Sequence, residues 1–243
     1  MELEFSDISR FYWFVGQNIV CALLLLFTMI LLWNSKKSEV DSQKEMFRGI
    51  GLFALSASIA QILYLYQLYM KHSGQQDILI KVMKLGGSGY EYLLILCFAI
   101  GFYFLLPPME IYILNRPKKE FSKIALISFI LLLIPYLIAL LTYSGQINEI
   151  YSIIAIPGII LFGIAALVGV FGTVFIYLKL GFKSTGSIKK KGYFMGVGLA
   201  LMFFALIVGS EISSKIGGRF AAIFNPGVMI LGGIFVIMGQ KIQ

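Results

Sequence analysis

Residues 150–178 read IYSIIAIPGIILFGIAALVGVFGTVFIYL, a run in which no side chain is charged. A helix that crosses the hydrocarbon layer of a bilayer, roughly 30 Å thick, needs about 20 mainly apolar residues. This run exceeds that length, so it predicts a membrane-spanning helix.

The composition of the whole chain agrees with that prediction. Hydrophobic residues make up 59% and charged residues 13% of the 243 residues, and the mean hydropathy is +0.88. A soluble core of this size could not bury so much apolar surface. The sequence predicts an all-α integral membrane protein, one domain over residues 1–243, folded as a seven-transmembrane helix bundle. The predicted spans are residues 12–33, 50–70, 88–106, 123–142, 150–178, 193–210 and 220–239.

Basic residues indicate how the bundle is oriented. Most of them lie in three segments, 34–49, 107–123 and 179–192, which fall on one side of a seven-span bundle. The positive-inside rule makes that side cytoplasmic, with the N-terminus outside and the C-terminus in the cytoplasm of a multi-pass cell-membrane protein. The acidic start, MELEFSDISR, lacks the basic region of a cleaved signal peptide. Anionic lipid headgroups, and not nucleic acid, are the expected partner of the net charge of +8.

Chemistry-bearing motifs are scarce. His72 is the single histidine, and Cys21 and Cys97 both fall inside predicted spans, which argues against a metal site built from several His or Cys ligands. No nucleophile elbow, zinc-protease pair or phosphate-binding loop is present. We therefore expect no enzyme activity, no catalytic residue, no metal and no cofactor.

Glu211 and Lys215 in SEISSKIGG have the acid-xxx-Lys spacing of the last helix of microbial rhodopsins. A Schiff-base lysine would have to lie at mid-membrane, but Lys215 precedes the apolar run that reads as helix seven. The rhodopsin signatures expected on helices three and six are also absent. Lys215 is better explained as an interfacial residue, and retinal binding is a minor alternative.

In its helix count, topology, short loops and the stretch PPMEIYILNRPKKEFSK at 107–123, the chain resembles the stand-alone seven-helix membrane domains of prokaryotes. Domains of this type also occur at the front of sensor histidine kinases. The resemblance implies a sensory or receptor-like module whose output passes to a separate cytoplasmic protein.

Polar residues inside apolar helices are costly and often face a bundle interior or a wet cavity. Several map to the outer third of the predicted bundle and are candidates for a small-molecule pocket, although an interfacial aromatic belt and helix packing would explain them too. On the opposite side, a basic face could dock a signalling protein or lipids. The pocket candidates are Asn18, Gln61, Tyr64, Glu91, Tyr136, Glu211, Arg219 and Asn225, and the basic face comprises Arg116, Lys118, Lys119, Lys189, Lys190 and Lys191.

A small transporter or channel for a neutral solute is the main alternative, and a structural subunit of a membrane complex is another. A transporter should have charged or broken-helix features near the midplane. Residues 93–105, 127–134, 160–176 and 197–208 contain no charge and, apart from glycine, nothing that would break a helix, which favours the sensor. Glycines such as Gly192, Gly196, Gly163, Gly232 and Gly233 predict close helix packing.

Overall fold

The computed structural model describes residues 7–72, 89–112, 114–115, 118–142, 149–207 and 218–241. Within these ranges the chain is helical and no strand occurs. The helices are α1 Asp7–Lys37, α2 Asp41–His72, α3 Gly89–Tyr112, α4 Glu120–Thr142, α5 Glu149–Leu167 continued by the π-helical turn Val168–Gly172 and by Thr173–Lys183, α6 Gly186–Ile207 and α7 Gly218–Lys241.

Six described helical segments are long and apolar enough to cross a membrane. Many large apolar side chains are exposed on them, as expected of surfaces that meet lipid tails. The prediction of a helical, multi-pass membrane protein agrees with this. The described part of α6 opens with three lysines and ends at Ile207, before the end of its predicted span, so the count of seven and the orientation stay predictions. The six segments are Phe14–Lys37, Asp41–Tyr66, Leu93–Tyr112, Glu120–Ile138, Ile153–Lys183 and Ile223–Gln240.

Polar turns extend the helices beyond the apolar runs. The clearest case is α3, which was expected to end at 106 but continues through Pro107 and Pro108 to Tyr112. A proline cannot donate to the carbonyl four residues earlier, so Pro108 leaves the carbonyl of Phe104 without its helical donor. That carbonyl packs against Gly49 of α2, where an added Cβ would lie 2.8 Å from it. Close packing of a neighbouring helix therefore accommodates the prolines.

A second irregularity lies in α5. Residues 168–172 form a π-helical turn, within the stretch 160–176 where only glycines were expected to interrupt the helix. Gly169 and Gly172 have low helix propensity and lie within it, and the side chain of Thr173 directly after it is fully buried. Such turns interrupt the ladder of backbone hydrogen bonds and are frequent at functional positions.

The chain groups into two compact units. Unit 2 is Leu24–Gly169, and unit 1 contains the described residues up to Leu23 together with those from Val170 onward. In unit 2, α2 packs on α3, α3 on α4, and α4 on the first part of α5. In unit 1, α6 packs on both the last part of α5 and α7. The prediction of a single domain stays a prediction.

Glycine seams hold the unit 1 helices together. An added Cβ on Gly198 of α6 would lie 2.7 Å from the carbonyl oxygen of Gly232 of α7, and one on Gly196 would lie 2.8 Å from the Leu178 side chain. Gly192 is in equally close contact with Gly181. The predicted packing role is confirmed for Gly192, Gly196 and Gly232, whereas Gly163 and Gly233 have nothing within 4 Å of an added Cβ.

Candidate functional site

Three of the predicted pocket residues lie in unit 2, on α2 and α4. Gln61 and Tyr64 are half-buried on α2, and Tyr136 is half-buried on α4. Gln61 continues the buried side of α2 formed by Ala54 and Ala57. Gln61 and Tyr64 both have interaction partners, so their polar groups lie within the packed part of this unit.

The helix α3 lies between these two helices and runs antiparallel to both. Gly49 of α2 meets Leu105, and the ring of Phe53 lies 5.0 Å from that of Phe102. Continued along the helices, this register brings the backbone of Glu91 level with Tyr64. The side chain of Glu91 lies outside the described residues.

Tyr136 packs against a core shared by α3, α4 and α5. That core is formed by Leu96, Ala99, Leu132 and Ala155. Nearby, the hydroxyl of Ser128 donates a 2.8 Å hydrogen bond to the carbonyl oxygen of Gly158 and links α4 to α5. Tyr136 therefore contributes mainly packing here, with a polar hydroxyl on an otherwise apolar surface.

The remaining candidates that the structure describes belong to unit 1. Asn225 on α7 is 5% exposed, and its side-chain oxygen has no hydrogen-bond donor among the described residues. Asn18 is exposed and donates a 2.8 Å hydrogen bond to the carbonyl oxygen of Phe14 in its own helix. Glu211, the Lys215 of the rhodopsin comparison and the side chain of Arg219 lie outside the described residues. The described candidates thus lie on α2, α3 and α4 of unit 2 and at separate positions of unit 1.

The most buried charged-type side chain was not among the candidates. Glu110, in the last turn of α3, is fully buried. Its carboxylate accepts hydrogen bonds from the backbone N–H of Phe121 at 2.7 Å, from the backbone N–H of Ser122 at 2.9 Å and from the Ser122 hydroxyl. These N–H groups belong to the first turn of α4, where backbone N–H groups have no carbonyl acceptor within their own helix. Glu110 therefore caps α4 across the α3–α4 loop, where the positive end of the helix dipole favours an anion.

The sequence carries a signal for this cap. Glu110 follows two prolines at the end of an apolar run, and Ser122 stands at the start of the next run. A carboxylate at the end of an apolar run has few hydrogen-bond donors nearby other than the backbone N–H groups of a helix N-terminus. Spacing alone did not single it out, because the capping residue lies eleven and twelve residues before the groups it caps.

The loop held by this cap is basic and tightly turned. Asn115 and Lys119 both have a φ of 52°, a left-handed conformation that is uncommon for residues other than glycine. Lys118 and Lys119 are exposed, and Arg116 lies outside the described residues. Of the other predicted basic residues, Lys189 and Lys190 are exposed and Lys191 is half-buried at the start of α6. Both loops therefore present cations to their surroundings.

Metal ligands do not cluster in the part of the chain that the structure describes: no group of three or more His, Cys, Asp or Glu side chains is close enough to hold an ion. Comparisons with known protein families, with curated proteins and with solved structures find no match for this chain.

Proposed function

We propose that this protein is a seven-helix membrane sensor with an outward-facing polar pocket, signalling through a separate cytoplasmic partner. The observation that carries the proposal is the arrangement of α3. Its N-terminal end is level with Gln61 and Tyr64 on α2, and its C-terminal end carries Glu110, which holds the first turn of α4. A displacement of α3 at the pocket would move the cap of the basic loop directly.

The packing along α3 supports a rigid connection between these ends. Gly101 allows α2 to approach closely, since an added Cβ would lie 3.1 Å from both Phe53 and Ser56. The ring of Phe102 contacts the rings of Phe53 and Phe162 at centroid distances of 5.0 and 6.0 Å. Close-packed interiors transmit small shifts instead of absorbing them.

The partner would be recognised at the α3–α4 loop. This loop carries exposed Lys118 and Lys119, and the neighbouring Arg116 adds to its charge. A basic surface attracts an acidic protein surface. This attraction mainly raises the association rate and fixes the orientation of the partner.

Transport of a neutral solute is a second candidate, favoured by the π-helical turn Val168–Gly172 and by prolines inside α4, α5 and α7. Such interruptions occur in transporter helices that line a path. The described spans of α3 and α4 contain no charged side chain at mid-helix, so this candidate applies to uncharged solutes.

A thermal-shift screen of small metabolites on the purified full chain tests the sensor. A ligand of the native state raises the melting temperature, because it stabilises by RT ln(1 + [L]/Kd). The shift of a true pocket ligand should be lost in Glu91→Gln and in Gln61→Ala and kept in Asn18→Ala, the matched change at an exposed amide.

The same ligand should change the mobility of a spin label at Lys118→Cys and leave one at Glu39→Cys unaffected. A thermal shift that survives both pocket substitutions would rule out the pocket. Accumulation of the ligand inside protein-containing vesicles, without a response at Lys118→Cys, would favour the transporter instead.

A further inference from the structure

The three basic loops differ sharply in acidic content. Around the α1–α2 connection, Glu39, Asp41 and Glu45 offset the basic residues, and Arg48 forms a 3.9 Å salt bridge with Glu45. The α3–α4 loop is flanked by Glu120 at the start of α4 and by the capping Glu110 in the last turn of α3. From Ile150 to Ser210 the sequence has no acidic residue at all, yet five lysines lie between 179 and 191. The α5–α6 connection therefore carries uncompensated positive charge.

The connection is also short and rigid. Only Ser184 and Thr185 separate α5 from α6, and the backbone N–H of Ser184 donates a 3.1 Å hydrogen bond to the carbonyl oxygen of Leu180. Gly186 makes the turn with a φ of +62°. The close contact of Gly181 with Gly192 then fixes the two helices against each other. We name residues 179–191 the basic hairpin.

The lysine side chains of the basic hairpin lie on the protein surface. Lys179, Lys183, Lys189 and Lys190 are exposed, and in the described part of the chain they form no ion pair. The start of α6 adds the positive end of a helix dipole to the same region, where an acidic residue would normally be favourable. Such an arrangement costs free energy unless anions lie nearby.

Apolar side chains accompany the lysines. Phe182 is 72% exposed and rests edge-on against the ring of Tyr193, with a centroid distance of 5.2 Å. Ile188 is 53% exposed. A surface that combines exposed cations with exposed apolar side chains fits the boundary between lipid headgroups and acyl chains. A protein partner would be expected to bury those side chains away from lipid.

We propose that the basic hairpin is a binding surface for anionic phospholipid headgroups, with its lysines paired to phosphates and Phe182 and Ile188 lying at the level of the upper acyl chains. This proposal rests on the proposed membrane placement of the sensor but not on its ligand. It assigns the lipid contact to one loop and leaves the α3–α4 loop for the signalling partner.

Native mass spectrometry of the detergent-solubilised full chain can test the assignment. The protein is titrated with equal concentrations of phosphatidylglycerol and phosphatidylcholine that have identical acyl chains, and the ratio of the two apparent affinities is measured. Each lysine near an anionic surface contributes a factor of about five. The substitutions Lys183→Gln, Lys189→Gln and Lys190→Gln together should lower the ratio at least about tenfold.

The matched control removes the same charge from the α1–α2 loop, by Lys36→Gln, Lys37→Gln and Lys44→Gln, all at exposed positions. It should change the ratio by less than about threefold. A second variant with arginine at 183, 189 and 190 keeps the charge and should keep the lipid preference, which separates a charge effect from misfolding.

Equal losses in the hairpin and control variants would show that net charge, and not this surface, selects the lipid. Unchanged selectivity in the hairpin variant would also overturn the proposal, as would displacement of phosphatidylglycerol by poly-glutamate at the same charge concentration. The measurement uses no sensor ligand, so its failure is separate from failure of the thermal-shift test.

Discussion

At the residue scale, Glu110 best illustrates how a charged side chain is retained in an apolar chain. A fully buried carboxylate is expensive unless its oxygens are satisfied, and here three donors from α4 satisfy them. Asn225 is the opposite case, because its buried side-chain oxygen has no donor in the described part of the chain.

We expect Glu110→Gln to lower the free energy of unfolding by about 1–3 kcal/mol. The substitution replaces one acceptor oxygen of the carboxylate by an NH₂ group, which cannot accept a hydrogen bond from the donors of α4. The measurement is a denaturant titration of the detergent-solubilised protein, followed by circular dichroism. The same change at exposed Glu39 should stay within about 0.5 kcal/mol. Equal effects at the two positions would mean that the cap contributes nothing.

The sequence predicted part of this chemistry. Gln61, Tyr64 and Tyr136 are half-buried on their helices, as spacing along a helix allows, and their role in a pocket stays a prediction. Asn18 was also a pocket candidate; it is exposed and bonds to the carbonyl oxygen of Phe14 in its own helix, and its pocket role stays a prediction. Glu110 was missed because a cap between two helices depends on how they pack, and its position after two prolines does not identify the groups eleven and twelve residues later that it caps.

At the element scale, the helical character and approximate position of the described helices were predictable, but not their ends or interruptions, and the count of seven spans stays a prediction. Hydropathy detects only the part of a helix that meets hydrocarbon. Both α1 and α2 extend beyond that part into polar residues, since α1 ends at Lys37 and α2 begins at Asp41. It also did not anticipate that α3 would pass through Pro107 and Pro108. Gly49 of α2 lies against the freed carbonyl of Phe104 and the Pro108 ring, in a space where an added Cβ would lie 2.8 and 2.9 Å from them.

The seam between α6 and α7 gives an element-scale prediction. An alanine at Gly198 would place its Cβ 2.7 Å from the carbonyl oxygen of Gly232 and 2.8 Å from the backbone nitrogen of Val236. The two helices would have to separate, so we expect a loss of about 1–3 kcal/mol in the free energy of unfolding.

Gly233→Ala is the matched control, since nothing lies within 4 Å of an added Cβ there. It should leave stability unchanged or raise it by up to about 1 kcal/mol through better helix propensity. Thermal melts of the two variants should therefore shift in different directions, and a lower melting temperature for Gly233→Ala than for Gly198→Ala would contradict the seam.

At the scale of the whole molecule, composition was sufficient for the class of protein. Six described segments can span a membrane, whereas the predicted seven spans depend on how α6 continues after Ile207. Charge distribution supplied the orientation, and that prediction can be tested directly.

Single cysteines introduced into a chain in which Cys21 and Cys97 are replaced by alanine should report the topology. In intact cells, an impermeant thiol reagent should modify cysteines at Ser73 and Ser144 but not those at Lys118 and Ser187. The permeabilised cells are the control, because all four should then react. Modification of Ser187→Cys in intact cells would reverse the orientation.

A π-helical turn holds about one residue more than an α-helical turn, and one residue corresponds to a rotation of about 100°. An ungapped alignment of α5 with an uninterrupted helix would therefore put every position on one side of Val168–Gly172 out of phase. Exposed Phe175, for example, would be aligned with a position of different exposure in the other helix. Searches for distant homologues of this chain should place a one-residue gap inside 168–172. Scoring schemes that penalise gaps within helices would otherwise reject true relatives at this segment.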